Sequence, residues 1–215
     1  EPTRVGEIPI MVNHISKSFD NNTIITDVVV RLYRGERVAL IGPNGAGKST
    51  FIKILMNEIQ PDTGEVVRDP QLDIGYYSQE HNSFDEDQTI FEMMRNHTFA
   101  DDTRIRPLLA GFLFTGNKVH QQIRKLSGGE KTRLSIARLL SRNHNMLVLD
   151  EPTTYLDVMS QRVILEALKK YTGTLLVVSH TEAFIRELTP DKAFLLPENS
   201  VVPWDENLLS EVTKI

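Results

Sequence analysis

The sequence predicts an α/β domain in which helices cover a mostly parallel sheet, and three observations lead to this prediction. Short apolar runs alternate with segments of helical spacing in the second half of the chain, as in parallel strands joined by helices. A glycine-rich segment connects the apolar run Val38–Ile41 to a helical segment. The first third is rich in β-branched residues and turn residues, which predicts further strands.

The first part of the chain predicts strands around one helix. Ile8–Phe19 is β-rich, and a turn at residues 20–22 leads to alternating apolar residues at 28, 30 and 32. Apolar residues at helical spacing predict a helix over Lys48–Glu58. The remaining short apolar runs predict strands at Val38–Ile41, Val66–Val67 and Ile74–Tyr77.

The rest of the chain predicts helices first and then an alternation of strand and helix. Thr89 and Glu92 have the spacing of a capping box. A helix is expected over Arg104–Phe114, with Pro107 in its first turn or at a kink. The alternating part predicts strands Met146–Leu149, Thr174–Val178 and Lys192–Leu196 and helices Val158–Tyr171 and Thr181–Leu188. The residues from Pro197 onwards predict nothing specific.

The composition is that of an ordinary globular protein and excludes several classes. The chain has 215 residues, of which 40% are apolar and 25% charged, enough for one sizeable domain or at most two small ones. No apolar run approaches the roughly 20 residues of a membrane span, and no signal peptide is visible. Cysteine is absent, which excludes disulfides and cysteine–metal sites and agrees with a reducing cytoplasm.

The charge is acidic overall but basic in one segment. A net charge of −5 gives no support to a general affinity for nucleic acid. The segment Lys118–Arg142 differs, because it carries seven Lys and Arg residues and a single acid, Glu130. A solvated helix face and an anion-facing surface both fit this pattern, and the sequence leaves the two alternatives open.

The glycine-rich segment predicts a phosphate site. Gly42–Ser49 reads G-P-N-G-A-G-K-S, fits G-x-x-x-x-G-K-[ST], and stands between a buried strand and a helix as that motif requires. Glycines let backbone N–H groups wrap phosphates, and the helix N-terminus favours an anion. Lys48 suits the β- and γ-phosphates, and the Ser49 hydroxyl suits Mg²⁺. A glycine-rich turn is the alternative, which this context disfavours.

Polar residues follow three of the predicted strands. Asp150 and Glu151 end an apolar strand at the sheet edge where ligands bind in such folds. Asp150 can hold Mg²⁺ through water, and Glu151 can polarise an attacking water. His180 follows the next strand and can bond a γ-phosphate, although a lone histidine is more often structural. Gln79 is a similar candidate for Mg²⁺ or water, and taken alone it reads as a surface residue.

These motifs, in this order, resemble the ATP-binding cassette family. The phosphate loop is followed by a glutamine loop, the signature L-S-G-G-E at residues 126–130, the Asp-Glu strand end, a Leu-Asp loop and a histidine. The resemblance extends from about Met11 to Leu196. It implies a single P-loop NTPase cassette over residues 1–215, with a mostly parallel central sheet, an antiparallel β subdomain and a small helical subdomain at about 80–140.

The resemblance also implies roles for single residues, with ATP and Mg²⁺ as ligands. Glu151 and His180 would be catalytic, and Ser49, Gln79 and Asp150 would hold the metal. Phe19 would stack on adenine, whereas the residues alone favour core packing for it. The residues implied in ATP binding are Phe19, Gly42, Pro43, Asn44, Gly45, Ala46, Gly47, Lys48, Ser49 and Thr50.

The signature begins a helix in an unusual way. Ser127 and Glu130 form a capping box, but Gly128 and Gly129 fill a first turn that normally holds better helix formers. In this family two cassettes pack head to tail, and the signature of one closes over the ATP of the other. Ser127, Gly128, Gly129 and Glu130 would therefore contact a partner's ATP, and Asp157 would lie in an interface loop.

Several stretches are similar to the ABC-F subfamily, whose soluble members act on ribosomes. They are L-S-G-G-E-K-T-R-L at 126–134, D-E-P-T-T-Y-L-D at 150–157, I-G-Y-Y-S-Q-E at 74–80 and the region 111–130 before the signature. Thr154-Tyr155 and Thr181-Glu182 depart from the usual Asn-His and Asp-Arg of that subfamily. The long linker between two cassettes is absent, so we expect the second cassette of a longer chain.

The resemblance leaves two classes of function. In the first, the chain is an ATP-hydrolysing cassette of a soluble, cytoplasmic ABC-F protein with a second cassette and the ribosome or its rRNA as partners, and it does not insert into a membrane. In the second, it is the motor domain of a membrane transporter. A cassette that binds ATP only as a scaffold is a weaker alternative, because Glu151 is present.

Overall fold

The computed structural model describes residues 4–78, 83–98, 102–154 and 156–212, and these form two sheets with helices. The strands are β1 (Ile10–Phe19), β2 (Asn22–Leu32), β3 (Arg37–Ile41), β4 (Thr63–Arg68), β5 (Ile74–Tyr77), β6 (Met146–Asp150), β7 (Thr174–Val178), β8 (Lys192–Leu195) and β9 (Ser200–Pro203). The helices are α1 (Lys48–Leu55), α2 (Ile90–His97), α3 (Asp102–Gly111), α4 (Gly128–Leu140), α5 (Val158–Lys170), α6 (Glu182–Leu188) and α7 (Leu209–Val212). Short 3₁₀ segments cover Gly116–His120, Ile123–Lys125 and Glu206–Leu208.

The larger sheet has the order β5-β6-β7-β3-β8-β9 and is parallel except for the pair β8–β9. Its central strands are apolar throughout because both faces are covered. In β6, Leu147 and Leu149 belong to a core with α4, α5 and α6, whereas Met146 and Val148 belong to a core with α1 and the smaller sheet. Successive side chains of a strand point to opposite faces, which explains this division.

The smaller sheet is antiparallel, with the order β2-β1-β4. It packs its inner face on α1, through residues such as Ile10, Val12 and Phe51. The fold predicted from the sequence is therefore confirmed: a mostly parallel central sheet, an antiparallel β part and helices around them.

Two predicted helices have different bounds in the structure. The first ends at Leu55 rather than at Glu58, because Asn57 takes a left-handed conformation (φ 61°) and the Glu58 N–H donates back to the Lys53 carbonyl. The helix around Pro107 covers Asp102–Gly111, so Pro107 lies inside it and not in its first turn. The expected capping box of Thr89 and Glu92 is present at α2.

The residues after Pro197 contain structure that the sequence did not predict. β9 adds an antiparallel edge to β8, and α7 packs against α6. Val212 of α7 is buried. No helix within the described ranges is long and apolar enough to cross a membrane.

Candidate functional site

The segment between β3 and α1 forms an open loop at the carboxyl edge of the parallel sheet. Gly45 and Gly47 take left-handed backbone conformations (φ 81° and 95°), which favour glycine. A Cβ on Gly42 would lie 2.3 Å from the Leu196 carbonyl oxygen, so close packing also requires glycine there. A Cβ on Gly45 would meet no atom within 4 Å, which leaves space above the loop.

Lys48 is the first residue of α1, and its side chain extends back across this loop. Its Nζ donates to the carbonyl oxygens of Gly42 at 2.6 Å and Pro43 at 3.0 Å. Partial burial lowers the pKa of Lys48, while the carboxylates of Glu151 and Asp150 oppose that shift. The ammonium group therefore lies between the loop and the end of β6, in reach of both.

A cleft of about 520 Å³ opens over the loop and contains the predicted catalytic groups. It lies where the parallel strands β5, β6, β7 and β3 end, the edge at which α/β sheets bind ligands. Its lining residues are Ile24, Asn44, Gly45, Gly47, Lys48, Ser49, Thr50, Lys53, Tyr76, Ser78, Asp150, Glu151, Val178 and His180.

Glu151 follows β6 in a left-handed conformation (φ 52°), and its backbone N–H donates to the Val178 carbonyl of β7. The carboxylate oxygen Oε2 accepts from the His180 backbone N–H and the Thr154 hydroxyl, both at 3.3 Å. The second oxygen, Oε1, is buried and accepts no hydrogen bond from the described residues. The hydrogen bonds of this carboxylate to the described residues therefore all go to Oε2.

The His180 ring lies between Val212 of α7 and Glu151 after β6. Its Nδ1 lies 3.2 Å from the Val212 carbonyl, and its Nε2 lies 3.2 Å from Oε1 of Glu151. The second distance is that of an ion pair, without the geometry of a hydrogen bond. Burial raises the pKa of Glu151, and the nearby His180 opposes this rise. A raised pKa favours proton uptake by this carboxylate, which suits a general base.

The signature helix α4 begins with the expected capping box. The Ser127 hydroxyl accepts from the Glu130 N–H at 3.3 Å, and the Ser127 N–H donates to Glu130 Oε2 at 2.9 Å. Glu130 Oε1 also pairs with Lys118 and lies 3.9 Å from Arg133. The Glu130 carboxylate is therefore engaged within its own chain.

The two signature glycines have different surroundings. A Cβ on Gly129 would lie 3.1 Å from Leu156, so packing inside the chain disfavours a side chain there. A Cβ on Gly128 would meet nothing within 4 Å. No contact among the described residues requires glycine at Gly128.

Asp157 caps the helix α5 that follows it. Its carboxylate accepts from the Ser160 N–H at 2.9 Å and from the Ser160 hydroxyl at 2.6 Å. These hydrogen bonds lower the pKa of Asp157. The next residues, Val158 and Met159, are large apolar side chains that are 80% and 57% exposed, so the first turn of α5 presents an apolar surface to solvent.

The structure therefore brings together much of the predicted site in one cleft, which is lined by Asn44, Gly45, Gly47–Thr50, Asp150, Glu151 and His180. The other predicted residues among those described do not line it: Gly42, Pro43 and Ala46 of the loop, Phe19, the signature and Asp157. Phe19 is 47% exposed, and the Lys17 ammonium lies 5.4 Å from the centroid of its ring. The alternative of core packing is therefore wrong for Phe19. Gln79 lies outside the described residues.

The basic segment Lys118–Arg142 is less free than its composition indicates. Lys118, Arg124 and Lys131 pair with Glu130, Asp87 and Glu86. Arg133 is buried and donates to the Phe112 carbonyl. A general anion-facing surface is therefore not formed by these residues, although Arg138 and Arg142 at the C-terminal end have no acid partner among the residues described.

Sequence reasoning missed some residues of the site. Lys53 is one helical turn beyond Ser49, a spacing that points both to the same side and is visible in the sequence. Tyr76 and Ser78 stand at the end of β5, beside the Asp150 strand. No sequence pattern pointed to Val212, because its backbone carbonyl reaches His180 only once α7 has packed in the folded chain.

The comparisons with known proteins agree with this geometry. The family model described as ABC transporter matches residues 25–154. YdiF of Bacillus subtilis (strain 168) is 39% identical over 185 residues, covering 85% of this chain and 29% of that protein. The ATP-binding protein Uup of Haemophilus influenzae is 37% identical over 190 residues, covering 85% of this chain and 29% of that protein. The chain spans 29–41% of the length of the curated relatives it matches.

Solved structures show the same fold at low sequence identity. A bacterial Atm1-family ABC exporter with ATP bound superposes with a TM-score of 0.80 at 23% identity, covering 98% of this chain and 42% of that one. An ATP-binding subunit of an ABC transporter gives a TM-score of 0.79 at 22% identity, covering 95% of this chain and 94% of that one. The chain belongs to the ATP-binding cassette family, and the curated relatives it resembles are proteins of the ABC-F subfamily.

Proposed function

We propose that this chain binds Mg-ATP in the cleft over Gly42–Thr50 and hydrolyses it as one half of a head-to-tail pair of cassettes. The observation that carries the proposal is the meeting of Lys48, Glu151 and His180 in one cleft, where Oε1 of Glu151 accepts no hydrogen bond from the described residues. A partly buried carboxylate beside a cation and a phosphate-type loop suits attack of water on a phosphate.

The residues of the cleft divide the chemistry between them. The loop N–H groups and the N-terminus of α1 favour the phosphates, and Lys48 exchanges its two loop carbonyls for phosphate oxygens. Hard oxygen donors from Ser49 and Asp150 fit Mg²⁺, which supplies charge neutralisation at the phosphates. The Glu151 carboxylate accepts a proton from the attacking water, and His180 keeps that carboxylate in place.

The signature supports the head-to-tail part of the proposal. Gly128 needs no glycine for packing within this chain, so its bare backbone suits close approach by a group from outside. The backbone N–H groups at the start of α4 favour an anion. Because the Glu130 carboxylate is engaged internally and negative, we assign the contact with a partner's ATP to Ser127, Gly128 and Gly129, with Glu130 holding their geometry.

We propose further that the parent protein is a cytoplasmic ABC-F protein that binds ribosomes when ATP closes its two cassettes and leaves them after hydrolysis. The similarity to ABC-F relatives supports this proposal, in which the chain supplies one of the two cassettes. The overall acidic charge and the paired cations of the basic segment predict that this chain alone binds ribosomes poorly.

Sedimentation tests the ribosome proposal. The parent protein carrying Glu151→Gln should sediment with ribosomes in Mg-ATP and remain in the supernatant in Mg-ADP. The matched control is the parent carrying Glu166→Gln, an exposed acid of α5, which should cycle like the wild type. If neither nucleotide supports co-sedimentation and the protein partitions with membranes, the ribosome proposal is wrong and a transporter motor replaces it.

A further inference from the structure

A second cavity borders the edge strand β5 and is lined by basic groups from three parts of the fold. It has a volume of about 410 Å³. His97 comes from the end of α2, Arg138 and Arg142 from the end of α4, and His144 from the turn before β6. We call this the cation cavity. The remaining lining residues are Ile74, Gly75, Tyr76, Ser83 and Leu139.

The positive charge of the cation cavity is poorly balanced by the residues described. Neither arginine has a carboxylate partner there, and the acid beside the cavity is Asp73, whose Oδ2 lies 3.0 Å from Nδ1 of His144. Arg138 donates to the Ser83 carbonyl at 3.4 Å, and Arg142 donates to the His97 carbonyl at 3.1 Å. Each guanidinium has five N–H donors, so most of them remain available.

The Arg138 side chain is held in place. Its guanidinium carbon lies 4.7 Å from the centroid of the Phe84 ring, a cation–π contact that fixes the plane of the fork. A fixed fork loses less entropy when it binds an oxyanion through two parallel hydrogen bonds. The cavity therefore contains a preformed donor pair and not only mobile surface charges.

The basic groups repel one another. Burial lowers the pKa of Arg138, and Arg142 lowers it further. Burial also lowers the pKa of His97, with contributions in the same direction from Arg138 and Arg142. The C-terminus of α4 favours cations on that helix, but Arg138 and Arg142 still repel each other there. An anion in the cavity would relieve this repulsion.

We infer that the cation cavity binds a phosphate group of an RNA backbone. Planar guanidinium forks match the oxygens of phosphate. Inorganic phosphate and anionic lipid headgroups offer the same chemistry, and the choice of RNA as the carrier rests on the ribosome association proposed above. The nucleotide cleft is a separate site, because the two cavities share only Tyr76 among their lining residues.

The test measures binding of a fluorescent, mixed-sequence single-stranded RNA to this 215-residue chain in saturating Mg-ADP, which occupies the nucleotide cleft. The variant is Arg138→Gln with Arg142→Gln. The matched control is Arg162→Gln, an exposed arginine of α5 outside the cavity. Removal of both guanidinium groups should weaken RNA binding about tenfold and lower the log–log salt slope by about 0.7 for each phosphate that the variant no longer binds.

Three further measurements keep the result unambiguous. Equal melting temperatures and Mg-ADP affinities of variant and wild type show that the fold is intact. Arg142→Lys, which keeps the charge but lacks the planar guanidinium, should weaken RNA binding less than Arg142→Gln does. Inorganic phosphate should displace RNA only at concentrations far above that of the RNA, and phosphatidylglycerol vesicles should not bind.

The proposal is overturned if the wild-type chain does not bind RNA, or if the double variant binds it with unchanged affinity and salt slope. It is also overturned if vesicles or free phosphate bind through Arg138 and Arg142 while RNA does not. The ribosome proposal fails separately, when the parent does not sediment with ribosomes. RNA binding that depends on both arginines would then still support the cavity.

Discussion

Nε2 of His180 lies 3.2 Å from Oε1 of Glu151, while Nδ1 of the same ring lies 3.2 Å from the Val212 carbonyl. A carbonyl can only accept, so Nδ1 carries a proton. Burial raises the pKa of Glu151, and the nearby His180 opposes this rise, so a change at His180 alters the proton affinity of Glu151.

Glu151→Gln should preserve Mg-ATP binding and slow hydrolysis about 100-fold or more, because the amide cannot take the proton of the attacking water. Phosphate release and nucleotide titration measure the two quantities. Glu166→Gln, the exposed acid of α5, is the control and should hydrolyse at the wild-type rate. Wild-type turnover by Glu151→Gln would remove this residue from the mechanism.

Glu151→Gln should also stabilise the chain near neutral pH. Burial raises the pKa of Glu151, with His180 opposing. Below about pH 4.3, the ordinary glutamate value, the residue is protonated in both folded and unfolded chains and adds no pH-linked effect. As the pH rises past that value, the unfolded chain ionises first, and stability is lost until the pH exceeds the raised pKa.

Glutamine escapes this loss, so its melting temperature should exceed that of the wild type near neutral pH, and the difference should shrink in acid. Thermal unfolding at several pH values measures it. An exposed control, Glu166→Gln, should change stability by no more than about 0.5 kcal/mol. A constant difference at all pH values would mean that packing, and not ionisation, separates the variants.

Lys48→Ala should weaken Mg-ATP binding by roughly tenfold to hundredfold, since hydrogen bonds to a charged group contribute about 1.5–3 kcal/mol. Lys48 is the lysine whose ammonium lies across the loop, within hydrogen-bond distance of the carbonyls of Gly42 and Pro43. Calorimetric titration measures the affinity, with Lys170→Ala on the exposed face of α5 as the matched control. Equal affinities of the two variants would contradict the assignment.

Gly128→Ala should separate folding from assembly. A Cβ at this position meets nothing within 4 Å in this chain, so alanine should stabilise the fold by about 0.4–1 kcal/mol through the unfolded state. The same methyl group should obstruct a partner's phosphate and weaken ATP-dependent association about tenfold or more. Light scattering of Glu151→Gln protein with Mg-ATP measures association, and thermal unfolding measures stability.

Gly111→Ala is the matched control for this variant. Gly111 also lies in a helix, α3, with open space around a built Cβ. It should stabilise the fold without affecting association. If both variants associate as the unsubstituted protein does, the signature does not contact the partner in the proposed way.

Much of the nucleotide cleft could be predicted from the sequence, because its parts are coded locally. The phosphate loop needs glycines and a lysine at fixed spacing. The apolar strand of residues 146–149 is followed directly by Asp150 and Glu151, so their place at the end of a strand is visible in the sequence. The capping boxes at Thr89 and Ser127 were predicted for the same reason. Strand order and helix ends were harder, since packing and a single left-handed residue such as Asn57 decide them.

Tertiary structure alone decided how these parts meet. The contact of His180 with Val212 and the pairing of Arg124 with Asp87 and of Lys131 with Glu86 join residues far apart in sequence. The exposure of Phe19 likewise depends on the folded chain. Periodicity and spacing report only neighbours along the chain, whereas hydrogen bonds and charge pairs depend on distance in space. The sequence by itself therefore determined the fold class and the phosphate-type loop, and only the folded chain decided which charges are paired within it.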